Sequence, residues 1–301
     1  MTYHVPVLVG PLMAAIGRPV RAVDGTLGDG GHAAALLDAG AEVLGIDRDP
    51  DAIATAERRL GHERIQYLEA PYASAEALDA VSRFAPDVVL LDLGVSSRQL
   101  DEDARGFSFR PGAPLDMRMS AAGPSAADWL NRTDEAALAA AFREYGDERG
   151  ARRLAREIVR RRPRASFSSS DDLVNAIRAA LGPRAGPADF ARLFQAVRIA
   201  VNDELAGLAS ALPALRDALV SGGRLAVISY HSGEDRVVKH AFQDWSRRCI
   251  CPPGHPVCTC RSRALGRAEP RKPILPDADE IQANPRARSA KLRIFRVDHA
   301  V

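Results

Sequence analysis

The sequence predicts an α/β protein whose parallel sheet is interrupted by an inserted all-helical domain. Three observations support this fold class. The first hundred residues alternate short apolar segments with segments of helical composition, which is typical of a parallel sheet covered by helices on both faces. Residues 106–209 read as helices separated by Gly, Pro and Ser breaks. Strand-like apolar segments then resume in the last third of the chain.

The predicted elements follow in order along the chain. Strands bounded by turn residues are predicted at 20–24, 43–47, 65–68 and 87–91. Helices are predicted between them at 31–39, at 52–60 and within 73–84. Asp49 followed by Pro50 predicts the start of the second helix, because an acidic side chain caps a helix and proline suits its first turn.

The inserted part is predicted to contain helices at 125–131, 133–145, 148–162, 170–181 and 188–208. The last third is predicted to complete the sheet with a strand at 224–230, a helix at 234–247 and a closing strand at 292–297. The predicted organisation is therefore a sheet domain begun by residues 1–105, a helical insertion at 106–209, and a completed sheet domain at 210–301 with a basic, cysteine-containing C-terminal region.

The composition is that of a folded protein without a membrane segment. The chain has 301 residues, of which 46% are hydrophobic and 27% are charged. No segment approaches the run of about 18 apolar residues that crosses a bilayer, and the N-terminus lacks the basic region of a signal peptide. We therefore expect a soluble, cytoplasmic protein with no membrane partner. The sequence does not determine its oligomeric state.

Charge is distributed unevenly between the two parts of the chain. Residues 1–104 hold 8 Arg and 17 acidic residues, a net charge of −9, whereas residues 105–301 carry a net charge of +11. A basic half is typical of a protein that binds a polyanion. The arginine-rich segment 149–164 and the basic segment 245–296 would bind RNA phosphates without reading sequence. Alternatively, the arginines of segment 149–164 only form the solvent-exposed face of a helix.

All four cysteines lie within twelve residues, at Cys249, Cys251, Cys258 and Cys260. Clustered thiols in a cytoplasmic protein suggest a metal site before they suggest disulfides. The spacing C-x-C-x6-C-x-C, with His255 inside it, differs from the paired C-x2-C spacing of many zinc sites. A zinc clip and four free thiols therefore stay open as alternatives.

Glycines cluster in the segment VDGTLGDGGH at 23–32, where the first strand turns into its helix. Such a turn lets the backbone approach a ligand closely, although it serves several nucleotide cofactors and also occurs without a ligand. Asp47 ends the second strand 17 residues beyond Gly30, where a carboxylate can accept both ribose hydroxyls of an adenosine. The glycines depart from the G-x-G-x-x-G fingerprint of dinucleotide-binding enzymes. A nicotinamide-dependent enzyme is therefore the least favoured hypothesis, and the segment predicts an adenosine-containing cofactor of a different kind.

Two further segments follow predicted strands. Tyr72 comes after the third strand, where its ring would flank an adenine or would simply be half-buried. Asp92 begins a polar, glycine-containing loop after the fourth strand. Open α/β sheets bind ligands outside the carboxyl ends of their strands, so this loop is a candidate active-site loop.

On these segments the sequence resembles the RsmH (MraW) family of bacterial S-adenosylmethionine-dependent methyltransferases. The matching segments are 24–32 (DGTLGDGGH), 46–50 (IDRDP), 92–97 (DLGVSS), 105–109 (RGFSF), 115–119 (LDMRM), 194–199 (FQAVRI) and 284–289 (NPRARS). With 4–8 (HVPVL) they cover nearly the whole chain in order. The resemblance implies a Rossmann-like class I methyltransferase sheet. It also implies methylation of the N4 amine of one decoding-centre cytosine, cytosine 1402, of 16S ribosomal RNA in the small ribosomal subunit.

The resemblance further implies a binding site for S-adenosylmethionine, with Asp47 holding the ribose. Its residues would be Gly30, Gly31, His32, Asp47, Tyr72, Asp92 and Gln99. The sequence departs from the family pattern in three places: Tyr72 replaces phenylalanine, Arg98 replaces proline and Gly233 replaces leucine. None of these changes removes a proposed functional group, but the Arg98 change puts the rigidity of the loop near Gln99 in doubt.

Methyl transfer to an exocyclic amine needs acceptors aimed at the amine hydrogens and a close, in-line approach to the donor. Asp92 is the predicted catalytic residue, with the backbone carbonyls of Leu93 and Gly94 as further acceptors. Asp92 would alternatively contact the donor instead of the base. Phe107 or Phe109 would stack on an extruded base or, alternatively, anchor the core of the insertion.

His231 follows the fifth strand and would either orient the base or a phosphate or serve as a structural histidine.

Two other functions compete with the one that the resemblance implies. The first is methylation of a different acceptor, such as another nucleic-acid base, a protein side chain or a metabolite. The second is a non-catalytic RNA-binding protein of ribosome assembly with a vestigial pocket.

Overall fold

The computed structural model describes residues 6–95, 102–120, 122–251, 257, 260 and 263–298. The chain forms two compact units. The first, which we call the sheet unit, lies within residues 1–94 and 205–301, and the second, the helical unit, lies within residues 95–204.

The described residues of the sheet unit form one seven-stranded sheet. Its strands are β1 (Arg21–Asp24), β2 (Glu42–Asp47), β3 (Ile65–Glu69), β4 (Val88–Asp92), β5 (Arg224–Ser229), β6 (Gly266–Ala268) and β7 (Lys291–Val297). Their order across the sheet is β3-β2-β1-β4-β5-β7-β6. The strands β1 to β5 pair in parallel, and β7 runs antiparallel to both neighbours. The predicted α/β fold class is confirmed, whereas β6 and the antiparallel direction of β7 were not predicted.

Helices cover both faces of this sheet. They are α1 (Val9–Ile16), α2 (Gly31–Asp38), α3 (Pro50–Leu60), α4 (Ala75–Phe84), α10 (Glu204–Ala218), α11 (Ser232–Trp245) and α12 (Ala278–Ala283). Successive residues of a strand point to opposite faces, so Val89 and Leu91 pack in a cluster with α4, α10 and α11. Val88 and Leu90 pack in the other cluster, with α1, α2 and α3. This double burial explains why the parallel strands read as continuous apolar runs.

The start of α3 follows the predicted signal. The Asp49 side chain accepts a hydrogen bond from the Asp51 backbone amide at 3.1 Å, and Pro50 occupies the first helical position. The capping role of Asp49 is confirmed, so Asp47 is not needed for that role.

The helical unit contains α5 (Ala126–Arg132), α6 (Glu135–Glu144), α7 (Ala151–Arg161), α8 (Ser170–Leu181) and α9 (Pro187–Asn202). The single helix predicted at 188–208 is wrong, because Asp203 has a left-handed backbone (φ 51°) and separates α9 from α10. The apolar sides of the helices surround a core that includes Phe142, Leu193 and Ile158. Among the helices of the described residues, none combines the length and the apolar character that a bilayer requires.

Along the chain, the boundaries between the two units fall at 94/95 and 204/205. The boundaries predicted from the sequence are 105/106 and 209/210. The segment 102–120, which includes a short 3-10 helix at Asp103–Arg105, joins the helical unit. Leu115 and Met117 are buried in its core. Asn202 clamps the segment, because its amide donates to the Met117 carbonyl at 2.8 Å and accepts from the Met119 amide at 2.9 Å.

Candidate active site at the carboxyl edge of the sheet

The candidate site lies in the sheet unit, where parallel strands end side by side. The strands β1, β2 and β4 end at Asp24, Asp47 and Asp92. Since β1 lies between β2 and β4, the three carboxyl groups share one edge of the sheet. The strand β5, next to β4, ends just before Tyr230.

Leucine side chains pack closely against the glycine turn between β1 and α2 at two positions. A Cβ at Gly25 would lie 2.6 Å from Leu91 Cδ2. Gly30 has a left-handed backbone (φ 76°), and a Cβ there would lie 2.7 Å from Leu60 Cδ1. Backbone hydrogen bonds fix the turn, because Gly25 donates to Leu90 and Leu27 donates to Ile46, both at 2.9 Å. The turn therefore presents a rigid, narrow backbone surface, with Gly31 at the start of α2.

Asp47 links the end of β2 to the glycine turn. Its Oδ2 accepts from the Gly28 amide at 2.8 Å and its Oδ1 accepts from the Asp49 amide at 2.9 Å. Burial raises the pKa of Asp47, and these two amide bonds work in the opposite direction. A carboxylate offers about four acceptor positions, so Asp47 retains acceptor capacity for two hydroxyl groups.

Asp92 is held by neighbours from β5 and from the glycine turn. Its Oδ1 accepts from the Tyr230 hydroxyl at 2.8 Å, and its backbone amide donates to Thr26 Oγ1 at 2.6 Å. The side chain is 23% exposed. Burial raises the pKa of Asp92, while His32 and the Tyr230 hydroxyl oppose that rise. Burial and the negative charge of Asp92 also raise the pKa of Tyr230, which stays a hydrogen-bond donor.

His32 lies behind Asp92 and is only 5% exposed. Its Nε2 is 2.9 Å from the Val7 carbonyl oxygen, which only accepts, so Nε2 carries a proton. Its Nδ1 faces Asp92 Oδ2 at 3.7 Å. The contacts with Val7 and Asp92 fix the orientation of the His32 ring, while Gly30 and Gly31 belong to the turn.

Asp24 is the most deeply buried carboxyl group of this edge, at 1% exposure. Its Oδ1 accepts from the Thr26 amide at 3.3 Å, and its Oδ2 is buried without a hydrogen-bond partner. Burial raises the pKa of Asp24 to about 6, against the opposing effect of His32. An unpaired buried carboxyl is unfavourable in isolation, and groups of this kind concentrate at functional sites.

The structure brings together most of the residues that the sequence analysis singled out. Gly30, Gly31, His32, Asp47 and Asp92 lie at the carboxyl edge of β1, β2 and β4, as described above. Tyr72 is half-buried after β3, and its Cβ lies 3.6 Å from the position of a Cβ built on Gly25. Gln99 lies outside the described residues. The roles of these residues stay predictions.

Three other candidates have structural environments. Phe107 is buried in the core of the helical unit and anchors it. Phe109 packs edge-on to Phe190 and Phe194 with ring centroids 6.0 Å apart but is 36% exposed, so both of its predicted roles stay open. His231 caps α11, because its Nδ1 accepts from the Gly233 and Glu234 amides. The alternative of a structural histidine is therefore the one that the geometry favours.

Sequence reasoning did not assign roles to Tyr230 and Asp24. Tyr230 becomes a partner of Asp92 only because β5 is the sheet neighbour of β4. Asp24 lies within the glycine segment, but its orphaned oxygen is a result of tertiary burial. Their positions at the ends of central strands could have indicated a functional role for both residues.

Comparison with known proteins gives a family for the whole chain. The model of the MraW methylase family matches residues 1–298. A protein of Gemmatimonas aurantiaca named ribosomal RNA small subunit methyltransferase H is 57% identical over 302 residues, which cover 98% of this chain and 95% of that protein. Proteins of the same name from Rubrobacter xylanophilus and Heliobacterium modesticaldum are 47% and 44% identical. Each covers 97% of this chain, and the aligned parts are 95% and 97% of those proteins. This chain belongs to the MraW methylase family.

Proposed function

We propose that this protein methylates the N4 amine of a cytosine in 16S ribosomal RNA, with S-adenosylmethionine as the methyl donor. The single observation that carries the proposal is the row of carboxyl groups of Asp24, Asp47 and Asp92 around a rigid glycine turn, in a member of a methylase family. The relatives are named for methylation of small-subunit ribosomal RNA, and the proposed target is the decoding-centre cytosine 1402 of the RsmH family. The substrate particle is the small ribosomal subunit, which places the activity in the cytoplasm.

The side chains of this edge suit a cationic adenosine-containing donor. Free acceptor positions on Asp47 suit a pair of ribose hydroxyls, and the glycine turn leaves room for a close approach of the donor to the backbone. The donor carries a positively charged sulfur and an ammonium group. Desolvation is the largest effect on the pKa of both Asp24 and Asp92 and disfavours their ionised forms, so a bound cation would compensate that desolvation.

The donor site would consist of the predicted residues in their observed places. Gly30, Gly31 and His32 form the turn, Asp47 holds the ribose and Tyr72 flanks the adenine. Asp92 lies between donor and acceptor. Gln99 completes the predicted set from the segment that the structure does not describe.

Asp92 would act as acceptor for the amine protons of the cytosine. The donor supplies a methyl group already activated by its bond to a positively charged sulfur. The new carbon–nitrogen bond forms as the carbon–sulfur bond breaks, its electron pair returns to sulfur, and N4 loses one proton. Tyr230 uses one acceptor position of Asp92 Oδ1, and His32 Nδ1 lies 3.7 Å from Oδ2, so the carboxylate retains acceptor positions for the proton. Burial raises the pKa of Asp92, which makes this carboxylate a better proton acceptor than an ordinary aspartate.

The helical unit would supply phosphate contacts. One side of α7 buries Leu154, Ala155 and Ile158, and the other side exposes Arg152 and Arg156. Such a side attracts a polyanion without reading its sequence. The other exposed arginines of segment 149–164 are Arg149, Arg153, Arg160 and Arg164.

The proposal is tested by mass spectrometry of 16S ribosomal RNA from cells that lack this protein. We expect the loss of one N4-methyl group at the decoding-centre cytosine, restored by the wild-type gene and not by a gene carrying Asp92→Asn. Purified protein should transfer labelled methyl to small subunits from the deleted strain. Intact methylation in the deleted strain, or labelling of a different base, would replace this function with one of the competing functions above.

A further inference from the structure

A cysteine cluster lies outside the candidate active site, in the segment that connects α11 to β6. The two ends of this segment are fixed to each other, because the Leu265 amide donates to the Trp245 carbonyl at 2.8 Å. Trp245 is buried, and the Asp298 amide donates to the Leu265 carbonyl at 3.0 Å. The segment therefore leaves and rejoins the sheet unit at one anchored point.

Little apolar packing holds the segment itself. Of its described residues, 246–251, 257, 260, 263 and 264, none is buried. Its large apolar side chains Ile250 and Val257 are 46% and 69% exposed. Small folding units that cannot bury a core of their own often rely on disulfides or a structural metal ion, and the same stabilisation is available to a long exposed segment.

Three cysteines nevertheless converge within this segment. The Sγ atoms of Cys249, Cys251 and Cys260 all lie within 4.8 Å of one another. The Sγ atoms of Cys249 and Cys260 are 3.8 Å apart. A disulfide requires about 2.05 Å between sulfurs, so this spacing is not that of a disulfide. Tetrahedral zinc with bonds of about 2.3 Å to sulfur places its ligands about 3.8 Å apart.

The surroundings of the sulfurs agree with a metal-bound thiolate. The Ile250 amide donates to Cys260 Sγ at 3.4 Å, a hydrogen bond of the kind that orients ligands and disperses their negative charge. Three thiolates and one divalent cation would leave a net charge of −1. Arg247 and Arg248 directly precede Cys249 in the sequence, so the segment also carries positive charge.

We propose that Cys249, Cys251 and Cys260 bind a zinc ion that closes the segment between α11 and β6. A soft, sulfur-rich ligand set selects zinc over magnesium or calcium. The site takes no part in the methyl transfer proposed above, since those steps use none of its residues. Cys258 and His255, which the sequence places in the same segment, lie outside the described residues. Zinc binding supplies the stabilisation that the segment lacks from packing.

The first test is the metal content of the full-length protein purified under reducing conditions without chelator. We expect about one zinc per chain, released when a mercurial reagent blocks the thiols. Cobalt substitution should give the strong visible absorption of tetrahedral coordination together with a sulfur-to-cobalt charge-transfer band. Protein that lacks zinc after reconstitution with zinc chloride, or that contains iron in its place, overturns the proposal.

The second test uses single substitutions of the ligands. Cys249→Ser, Cys251→Ser and Cys260→Ser should each lower zinc affinity by more than about 100-fold, since loss of an outer-shell partner alone costs 10–100-fold. Val257→Ser is the matched control, because it adds a hydroxyl within the same segment and removes no sulfur. Donor binding measured by calorimetry reports whether each variant is folded. A folded Cys260→Ser protein with unchanged zinc affinity contradicts the site.

Discussion

One carboxyl group of each unit shows how different the surroundings of an acidic side chain are in this molecule. In the sheet unit, Asp24 is buried with one oxygen unpaired, and burial raises its pKa to about 6. In the helical unit, Glu157 lies 2.7 Å from Arg160 and 2.6 Å from Arg161, and their hydrogen bonds lower its pKa to about 2. Asp24 has one oxygen without a hydrogen-bond partner, whereas Glu157 accepts hydrogen bonds from two guanidinium groups.

The two pKa values differ because the two carboxyl groups have different surroundings. Removal of water penalises the ionised form of a carboxyl, whereas a guanidinium partner stabilises it. The sheet unit therefore keeps carboxyls whose protonation responds to a ligand or a substrate. The helical unit keeps permanently charged side chains whose individual effects are small and whose sum attracts a polyanion.

The largest expected effect comes from removing the proton acceptor of the sheet unit. Asp92→Asn keeps the size of the side chain and its bond to Tyr230 but takes up no proton. Methyl transfer to small subunits should fall about 1,000-fold, measured by single-turnover transfer of labelled methyl. The acid limb of the wild-type pH–rate profile should lie above the range of an ordinary aspartate, because the pKa of Asp92 is raised.

Asp79→Asn is the matched control for this change, since Asp79 is an exposed carboxyl of α4 in the same unit. It should leave methyl transfer unchanged. Turnover of Asp92→Asn within tenfold of the control would remove Asp92 from the mechanism and would leave the buried carboxyls of the sheet unit with a structural role only.

The second largest effect concerns the contribution of Asp24 to the free energy of unfolding. Unfolded, Asp24 ionises near pH 3.8, and folded it ionises at about 6. The unfolded chain therefore loses its proton first, and the contribution of Asp24 to stability is lost as pH rises from 3.8 to about 6. Asp24→Asn does not ionise, so above pH 6 it should be more stable than wild type by about 3 kcal/mol.

Urea unfolding of the donor-free protein across this pH range checks the prediction. The advantage of Asp24→Asn should vanish below pH 3.8, where Asp24 is protonated in both states. A variant that is less stable than wild type at pH 7 would mean that Asp24 has a partner that stabilises its charge, and the contrast between the two units would fail.

The third effect tests the collective action of the helical unit. Replacing the exposed residues Arg152, Arg153 and Arg156 with alanine removes three positive charges from α7 and suits helix formation. Affinity for 16S ribosomal RNA should fall about 10–100-fold at low salt, with a salt slope lower by about 2 to 3. Filter binding at several salt concentrations measures both quantities.

The control removes the same charge from exposed arginines of the sheet unit, Arg18, Arg58 and Arg83. It should have a much smaller effect on RNA affinity. Equal losses in the two triple variants would show that net charge, and not the surface of α7, controls RNA binding.

The smallest effect concerns the paired carboxyl of the helical unit. Glu157 ionises near pH 4.5 when unfolded and at about 2 when folded. Its contribution is therefore present above pH 4.5 and is lost as pH falls towards 2. Because Arg160 is 56% exposed, solvent screens the pair, and Glu157→Gln should lower stability at pH 7 by about 1 kcal/mol. Thermal unfolding at pH 7 and at pH 3 should show a smaller difference at the lower pH, opposite in sign to Asp24→Asn.

Local sequence signals were enough for much of the fold. The strand ends were placed within one residue for β1, β2, β4 and β5, because strands buried on both faces are short apolar runs between turn residues. The capping pair Asp49 and Pro50 located the start of α3 for a similar reason, since a cap involves neighbours in the chain. The helix break at Asp203 was not predicted. Asp203 has a left-handed backbone, but the residues on both sides of it have helical composition.

The sequence by itself determined the α/β class, the glycine turn and the acidic residues that end the central strands, because each depends on residues close together in the chain. Only the tertiary structure decided that Tyr230 binds Asp92 and that one oxygen of Asp24 is buried without a partner. These features depend on strand order, on exclusion of water and on distances between residues far apart in the chain. Such quantities are set by packing, which no local pattern of residue types specifies.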